Sequence, residues 1–167
     1  NVAGFDAKTV NLGWNFGISK VAGIESVTTT DVAALPSGVS VIEPAIQHAI
    51  TAYYEGMTAL SETVYKNYKI SEDDLKTKVD EKDESIFILS ARKAEDFAAG
   101  HIEGATNIPF GKDMIAAFDA LPRDKTIVAY CYTGQTAGQT TAVLRLMGYK
   151  AVSLNGGMGK ESNAPQG

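Results

Sequence analysis

From Tyr68 onward, short apolar runs alternate with segments whose apolar residues recur at helical spacing. Tyr68-Lys69-Ile70 reads as a short strand. Ser71 follows as a side-chain N-cap, with Glu72, Asp73 and Asp74 in the first turn, where the helix dipole favours acids; this helix should run to about Val79. Ile86-Phe87-Ile88-Leu89 is continuously apolar, the pattern of a parallel strand covered on both faces. Lys93 to Ala99 predicts a short helix stopped by Gly100, and Ala105 to Ile108 a brief strand closed by Pro109. Asp113 to Leu121 predicts another helix, ended by Pro122. Thr126-Ile127-Val128-Ala129-Tyr130 is a β-rich run leading straight into Cys131. A helix from about Ala137 to Met147 follows, with Gly148 as its C-cap, and then a last strand, Ala151 to Leu154, stopped by Gly156-Gly157. Strands alternating with short helices predict βα units and a mainly parallel sheet.

The first third lacks this rhythm. Thr9 to Leu12 predicts a strand with Gly13 after it, and Ile18 to Ser40 reads as an irregular linker rich in Gly, Thr, Ser and Pro. From Glu43 to about Lys66 the pattern is helical, with Ile46, Ile50, Tyr53, Tyr54, Met57 and Leu60 near one face. The expected organisation is an N-terminal extension over 1–40, a helical lead-in over 41–66 and one α/β domain over 67–167. An internal echo adds to this. Gly4 to Gly13 resembles Gly148 to Gly156, allowing a small insertion, with the leading glycines 144 positions apart. The echo suggests that the N-terminus is the tail of a preceding similar unit in a tandem protein; the competing account is a chance likeness of two strand-plus-glycine segments.

Composition narrows the functional classes. The chain has 167 residues, 44% hydrophobic and 21% charged, enough for one ordinary core and too little for two full domains. A net charge of -5 supplies no basic excess to displace counterions, so a nucleic-acid partner is not expected. No apolar run approaches the roughly 20 residues that span a bilayer, so membrane insertion is not expected either. Starting at Asn1 rather than Met, the chain reads as a processed or truncated product. A single cysteine rules out an internal disulfide and a structural zinc site built on several thiolates.

That cysteine carries the candidate chemistry. In Cys131-Tyr132-Thr133-Gly134-Gln135-Thr136-Ala137 a buried strand ends, a polar loop turns at Gly134 and a helix begins. Ligands bind at the carboxyl ends of strands in open α/β sheets. A loop wrapping onto a helix N-terminus points amides inward and adds the positive dipole end, which favours a thiolate over a thiol. A free cysteine taken alone is more often a small buried hydrophobe, but here it stands at the strand's end rather than within it. Cysteine phosphatases use a similar cradle and place an arginine six residues after the cysteine to hold phosphoryl oxygens. Ala137 occupies that place, which argues against phosphate-ester hydrolysis.

From Tyr68 to Met158 the chain resembles a single-domain rhodanese. The matching stretches are Phe87 to Arg92, Ala94 to Pro109, Cys131 to Thr136 and Gly148 to Met158. The resemblance implies an α/β fold with a central five-stranded, mainly parallel sheet flanked by helices, here with an N-terminal extension. It also implies sulfurtransferase chemistry, in which Cys131 is the sulfur-accepting nucleophile and Tyr132, Thr133, Gly134, Gln135, Thr136 and Ala137 form the loop whose amides surround a persulfide. The six-residue loop resembles the sulfur-transfer branch rather than the longer phosphatase-like one. Arg92 matches an arginine that lies by the active-site mouth in some members and holds an anionic donor, or else makes a structural ion pair. His101 belongs to a family turn and is expected to be a structural hydrogen-bonding residue; His48 is expected to face solvent or packing.

Three departures qualify the match. Ser90 stands where the family usually has Asp, so Arg92 is expected to be held less firmly. Tyr132 and Thr133 replace loop cations found in several members, which should weaken capture of the thiosulfate dianion. The family's last helix is missing from Gly159 to Gly167, leaving that edge to be closed by another segment such as Thr9 to Phe16. The expected activity is transfer of sulfane sulfur from a small sulfur-containing anion to cyanide or a thiol, with no metal and no organic cofactor. The alternative is a catalytically weak or inactive rhodanese-like module for protein interaction or redox sensing. Bacterial periplasm and cytoplasm remain equally compatible with the sequence, and the oligomeric state is open.

Overall fold

The computed structural model describes residues 1–38 and 40–158. They fall into two compact units, one ending at Thr51 and the other beginning at Ala52. In the second unit five strands form one sheet: β1 (Lys69–Ile70), β2 (Ile86–Ser90), β3 (Thr106–Asn107), β4 (Thr126–Tyr130) and β5 (Ala151–Leu154), in the order β1-β5-β4-β2-β3. Every pairing is parallel, from Ile86↔Thr126 to Ser90↔Tyr130 in the centre and Ile127↔Ala151 beside it. All strand carboxyl ends therefore lie along one edge. The helices of this unit are α2 (Glu72–Asp80), α3 (Ala94–Ala99) and α4 (Gln135–Leu146); α1 (Pro44–Ala59) spans the division between the units.

Side-chain alternation sorts the core onto the two sheet faces. Leu89, Ile127, Ala129 and Cys131 pack on one face with Met114, Phe118, Ala137 and Leu144. Ile86, Ile88, Val128 and Tyr130 pack on the other with Ile70, Leu75, Val152 and Leu154. Burying a residue such as Ile127 completely contributes about 1.5–3 kcal/mol. Helix α2 starts as its sequence predicts, with the Ser71 hydroxyl accepting from the Asp74 amide at 3.1 Å.

Four elements differ from expectation. Helix α4 begins at Gln135, two residues early, because Gly134 turns the chain with φ of 81° and lets the helix start at once. Residues Met114–Ala120 wind as a 3₁₀ helix rather than an α-helix, closed by i→i−3 bonds such as Ala116 N–H to Asp113 O at 3.2 Å. Helix α1 stops at Ala59 instead of reaching Lys66, and the chain reverses so that Tyr68 packs back on it. The Tyr68 hydroxyl donates to Tyr53 O at 2.6 Å, and a Cβ on Gly56 would stand only 2.3 Å from that hydroxyl, so glycine there leaves it room.

The fourth difference lies in the first unit. Thr9 to Leu12 is not a strand; with no strand partner its backbone passes into a turn and a short π-helix, Gly13–Gly17, followed by 3₁₀ turns at Ile18–Lys20 and Ile24–Val27. Among the described residues no segment of the first unit is a strand of the five-stranded sheet, so Thr9 to Phe16 does not close its edge as a strand. Gly159 to Gly167 lies outside the described residues.

Candidate active site

Cys131 follows the last residue of β4, so its position is fixed by the central strand of the sheet. The loop is held from three sides. Tyr130 O accepts from the Ala91 amide at 2.7 Å, tying the end of β4 to the end of β2. Gly134 O accepts from Gly138 N–H at 2.8 Å, which closes the first turn of α4. Cys131 O accepts from Met158 N–H at 2.8 Å, which lays the segment after β5 against the loop.

That last contact is close enough to demand glycine. A Cβ on Gly157 would stand 2.7 Å from Cys131 O and 2.8 Å from the nitrogens of both Thr133 and Gly134. The two loop nitrogens and Gly157 therefore share one small space, and the loop is braced there by backbone alone. Cys131 itself is 1% exposed. Tyr132 through Thr136 are half-buried and Ala137 is fully buried.

The side chain of Tyr132 reaches away from the loop to α3. Its hydroxyl donates to the Asp96 carboxylate and accepts from Lys93 N–H at 3.1 Å. Burial, and next the bond to Asp96, hold this phenol above its ordinary range, so it stays a neutral donor at working pH. Tyr132, the residue after Cys131, is thus clasped to the N-terminal end of α3.

Arg92 is brought close to this clasp but not into the open. It is 6% exposed, and its guanidinium donates to Gly100 O from both terminal nitrogens at 3.0 Å, to Asp96 O and to Met158 Sδ at 2.6 Å. Its Nε is buried without a partner among the described residues. The expectation that Ser90 leaves it loosely held is corrected, because backbone carbonyls replace the acid. The arginine joins α3, the turn at Gly100 and the segment after β5, and the structure does not present it as a free cation at the mouth. His101 stacks on Phe97 with ring centroids 3.8 Å apart and bonds Phe97 O through Nδ1 at 2.9 Å, while His48 is exposed on α1. Asp96, Gly157 and Met158 had no assigned role in the sequence reading. The Gly156-Gly157 doublet, a strand stop that also lies in the Gly148 to Met158 stretch resembling the family, is the sequence signal for the brace.

Residues 71–163, more than half of the chain, match the rhodanese-like domain family. The chain belongs to that family. A Bacillus subtilis protein named as a sulfurtransferase, YtwF, is 33% identical over 90 residues, covering 54% of this chain and 85% of its own length. A tRNA sulfurtransferase from Pyrobaculum aerophilum is 37% identical over 76 residues, covering 46% of this chain but only 16% of that protein. Among solved structures, a rhodanese-like domain protein from Staphylococcus aureus aligns at a TM-score of 0.50 with 26% identity, over 57% of this chain and 94% of its own. The fold is that of the rhodanese-like family, with the sheet all-parallel rather than mainly so.

Proposed function

We propose that this rhodanese-like domain moves sulfane sulfur through a persulfide on Cys131. The observation that carries the reading is the place of the chain's one cysteine: it leaves the central strand into a glycine turn whose amides lead directly into the N-terminus of α4. In the first step the Cys131 thiolate attacks the outer sulfur of thiosulfate; an S–S bond forms, the donor's S–S bond breaks, and sulfite leaves with the electron pair. In the second, cyanide or a thiolate attacks the outer sulfur of the persulfide and the Cys131 thiolate is the leaving group. With cyanide the product is thiocyanate. No separate base is needed while the loop amides and the α4 dipole stabilise the sulfur anion. The residues of the reading are Cys131 as nucleophile and Tyr132 to Ala137 as the cradle, with Arg92 bracing the wall behind Tyr132.

Thiosulfate should be a poor donor, since the loop holds no cation and the Arg92 guanidinium is occupied. The test is thiocyanate formation from thiosulfate and cyanide: slow turnover by the native protein, and none by Cys131→Ser with an unchanged far-UV spectrum. Full turnover by Cys131→Ser overturns the reading. The 1% exposure of Cys131 favours a second reading, a rhodanese-like module that binds a partner without chemistry. That reading requires a thiol that takes up no sulfur from any donor.

A further inference from the structure

The internal echo has a conformational counterpart. At a constant offset of 144 residues, with no insertion, 4–14 runs against 148–158. Gly4, Leu12 and Gly13 have φ of 84°, 61° and 59°; Gly148, Gly156 and Gly157, at the same three places, have 85°, 70° and 69°. No other described residue of either stretch has positive φ. The turns that lead in also agree: Gly4 N–H donates to Asn1 O and Gly148 N–H to Arg145 O, both at 2.9 Å. Leu12 adopts this left-handed conformation without being glycine, which L-residues disfavour. Two stretches of different sequence thus share positive φ at the same three places, although only the second contains a strand.

What differs is what they touch. Residues 148–158 finish α4, form β5 between β1 and β4, and lie on the Cys131 loop. Tyr149 and Leu154 are 3% and 4% exposed there, whereas their images Phe5 and Val10 are 49% and 58% exposed. Gly157 is crowded by three loop backbone atoms, while a Cβ on Gly13 would meet nothing within 4 Å. Trp14, the chain's one tryptophan, stands at the place of Met158 and is 55% exposed. The first stretch has the turn positions and the apolar side chains of a closing segment, but no sheet to close among the described residues.

We infer that residues 4–14 form the closing strand and loop brace of a second α/β unit of the same kind, carried on the same polypeptide ahead of Asn1. A second copy of this chain does not offer the equivalent place, because β5 already fills the position between β1 and β4. The partner has strands equivalent to β1 and β4 with a gap between them, and a strand-end loop on which Gly13 and Trp14 rest. Lys8 stands at the place of Val152, so the partner leaves that position open to water.

The coding sequence upstream of Asn1 gives the first test. It should encode a stretch about as long as 69–146, with strands alternating with helices and a helix ending at Gly4. Hydrogen exchange on the full polypeptide gives the second: the amides of Ala7 to Val10 should exchange about 100-fold more slowly than in the 167-residue chain, as strand amides do. An upstream sequence without that alternation overturns the inference, as do equal exchange rates in the two proteins. Protection that rises with the concentration of the 167-residue chain alone overturns it too, since that would make the partner a second copy.

Discussion

Replacing Gly157 with alanine tests how the segment after β5 braces the cysteine loop. The left-handed φ of 69° costs an alanine about 1–2 kcal/mol. The added methyl would also stand 2.7–2.8 Å from three backbone atoms of residues 131–134, none of which can rotate away. Overpacking of this kind adds about 1–3 kcal/mol, for a total of about 2–5 kcal/mol. Gly104→Ala is the control: its φ is 78°, but nothing lies within 4 Å of the new methyl, so only the backbone cost applies. Urea unfolding followed by far-UV circular dichroism should place Gly157→Ala about 1–3 kcal/mol below Gly104→Ala. Iodoacetamide should also alkylate Cys131 several-fold faster in Gly157→Ala at urea concentrations well below the transition, because the segment that lies on the loop is displaced. Equal stability of the two variants, with equal alkylation rates, would refute the close packing of Gly157 on the loop.

Three further outcomes follow from the same contacts. Tyr132→Phe and Asp96→Ala should each slow persulfide formation about ten-fold, and the double variant should be no slower than either alone, because both break one clasp; additive losses in stopped-flow assays would count against it. Ile127→Ala should cost about 2–4 kcal/mol in urea unfolding, since its side chain is fully buried in the central strand, and a loss under 1 kcal/mol would contradict that packing. Asp83 lies 2.9 Å from Lys78 and accepts from Ser85 N–H at 2.8 Å, and these partners, Lys78 first, hold its carboxyl well below the usual carboxylate range. Its stabilisation is therefore present above the unfolded-state value near pH 4 and fades as pH falls toward the folded value. Because the pair is about a quarter exposed, Asp83→Asn should cost about 0.5–1 kcal/mol at pH 7, with the gap to the native protein narrowing below about pH 4; a gap that widens there contradicts the sign.

The sheet was legible because burial on both faces leaves near-continuous apolar runs, as in Ile86 to Leu89 and Thr126 to Tyr130, and because turn residues punctuate them. The helix at Ser71 was legible for a local reason, its cap and acidic first turn. The start of α4 was misplaced because its decisive feature, the positive φ of Gly134, ends the loop earlier than polarity suggests. The end of α1 was missed because it is set by Tyr68 folding back onto Tyr53 and Gly56, contacts that no helical periodicity records. The site was legible as a linear loop, Cys131 to Ala137, but its braces were not. Arg92 was visible as a cation, but its burial depends on its bonds to the backbone carbonyls of Gly100 and Asp96, which a linear reading does not show. Tyr132 to Asp96 joins residues 36 positions apart, and Met158 to Cys131 depends on β5 lying beside β4.

The central claim is that the one thiol of this chain accepts a sulfur atom. Intact-mass spectrometry under non-reducing conditions, after incubation with thiosulfate or polysulfide, measures that directly. The native protein should gain about 32 Da, the mass of one sulfur, and lose it on adding cyanide, while Cys131→Ser stays unchanged. A native protein that gains no mass with either donor, while iodoacetamide still labels Cys131 at neutral pH, would contradict the account.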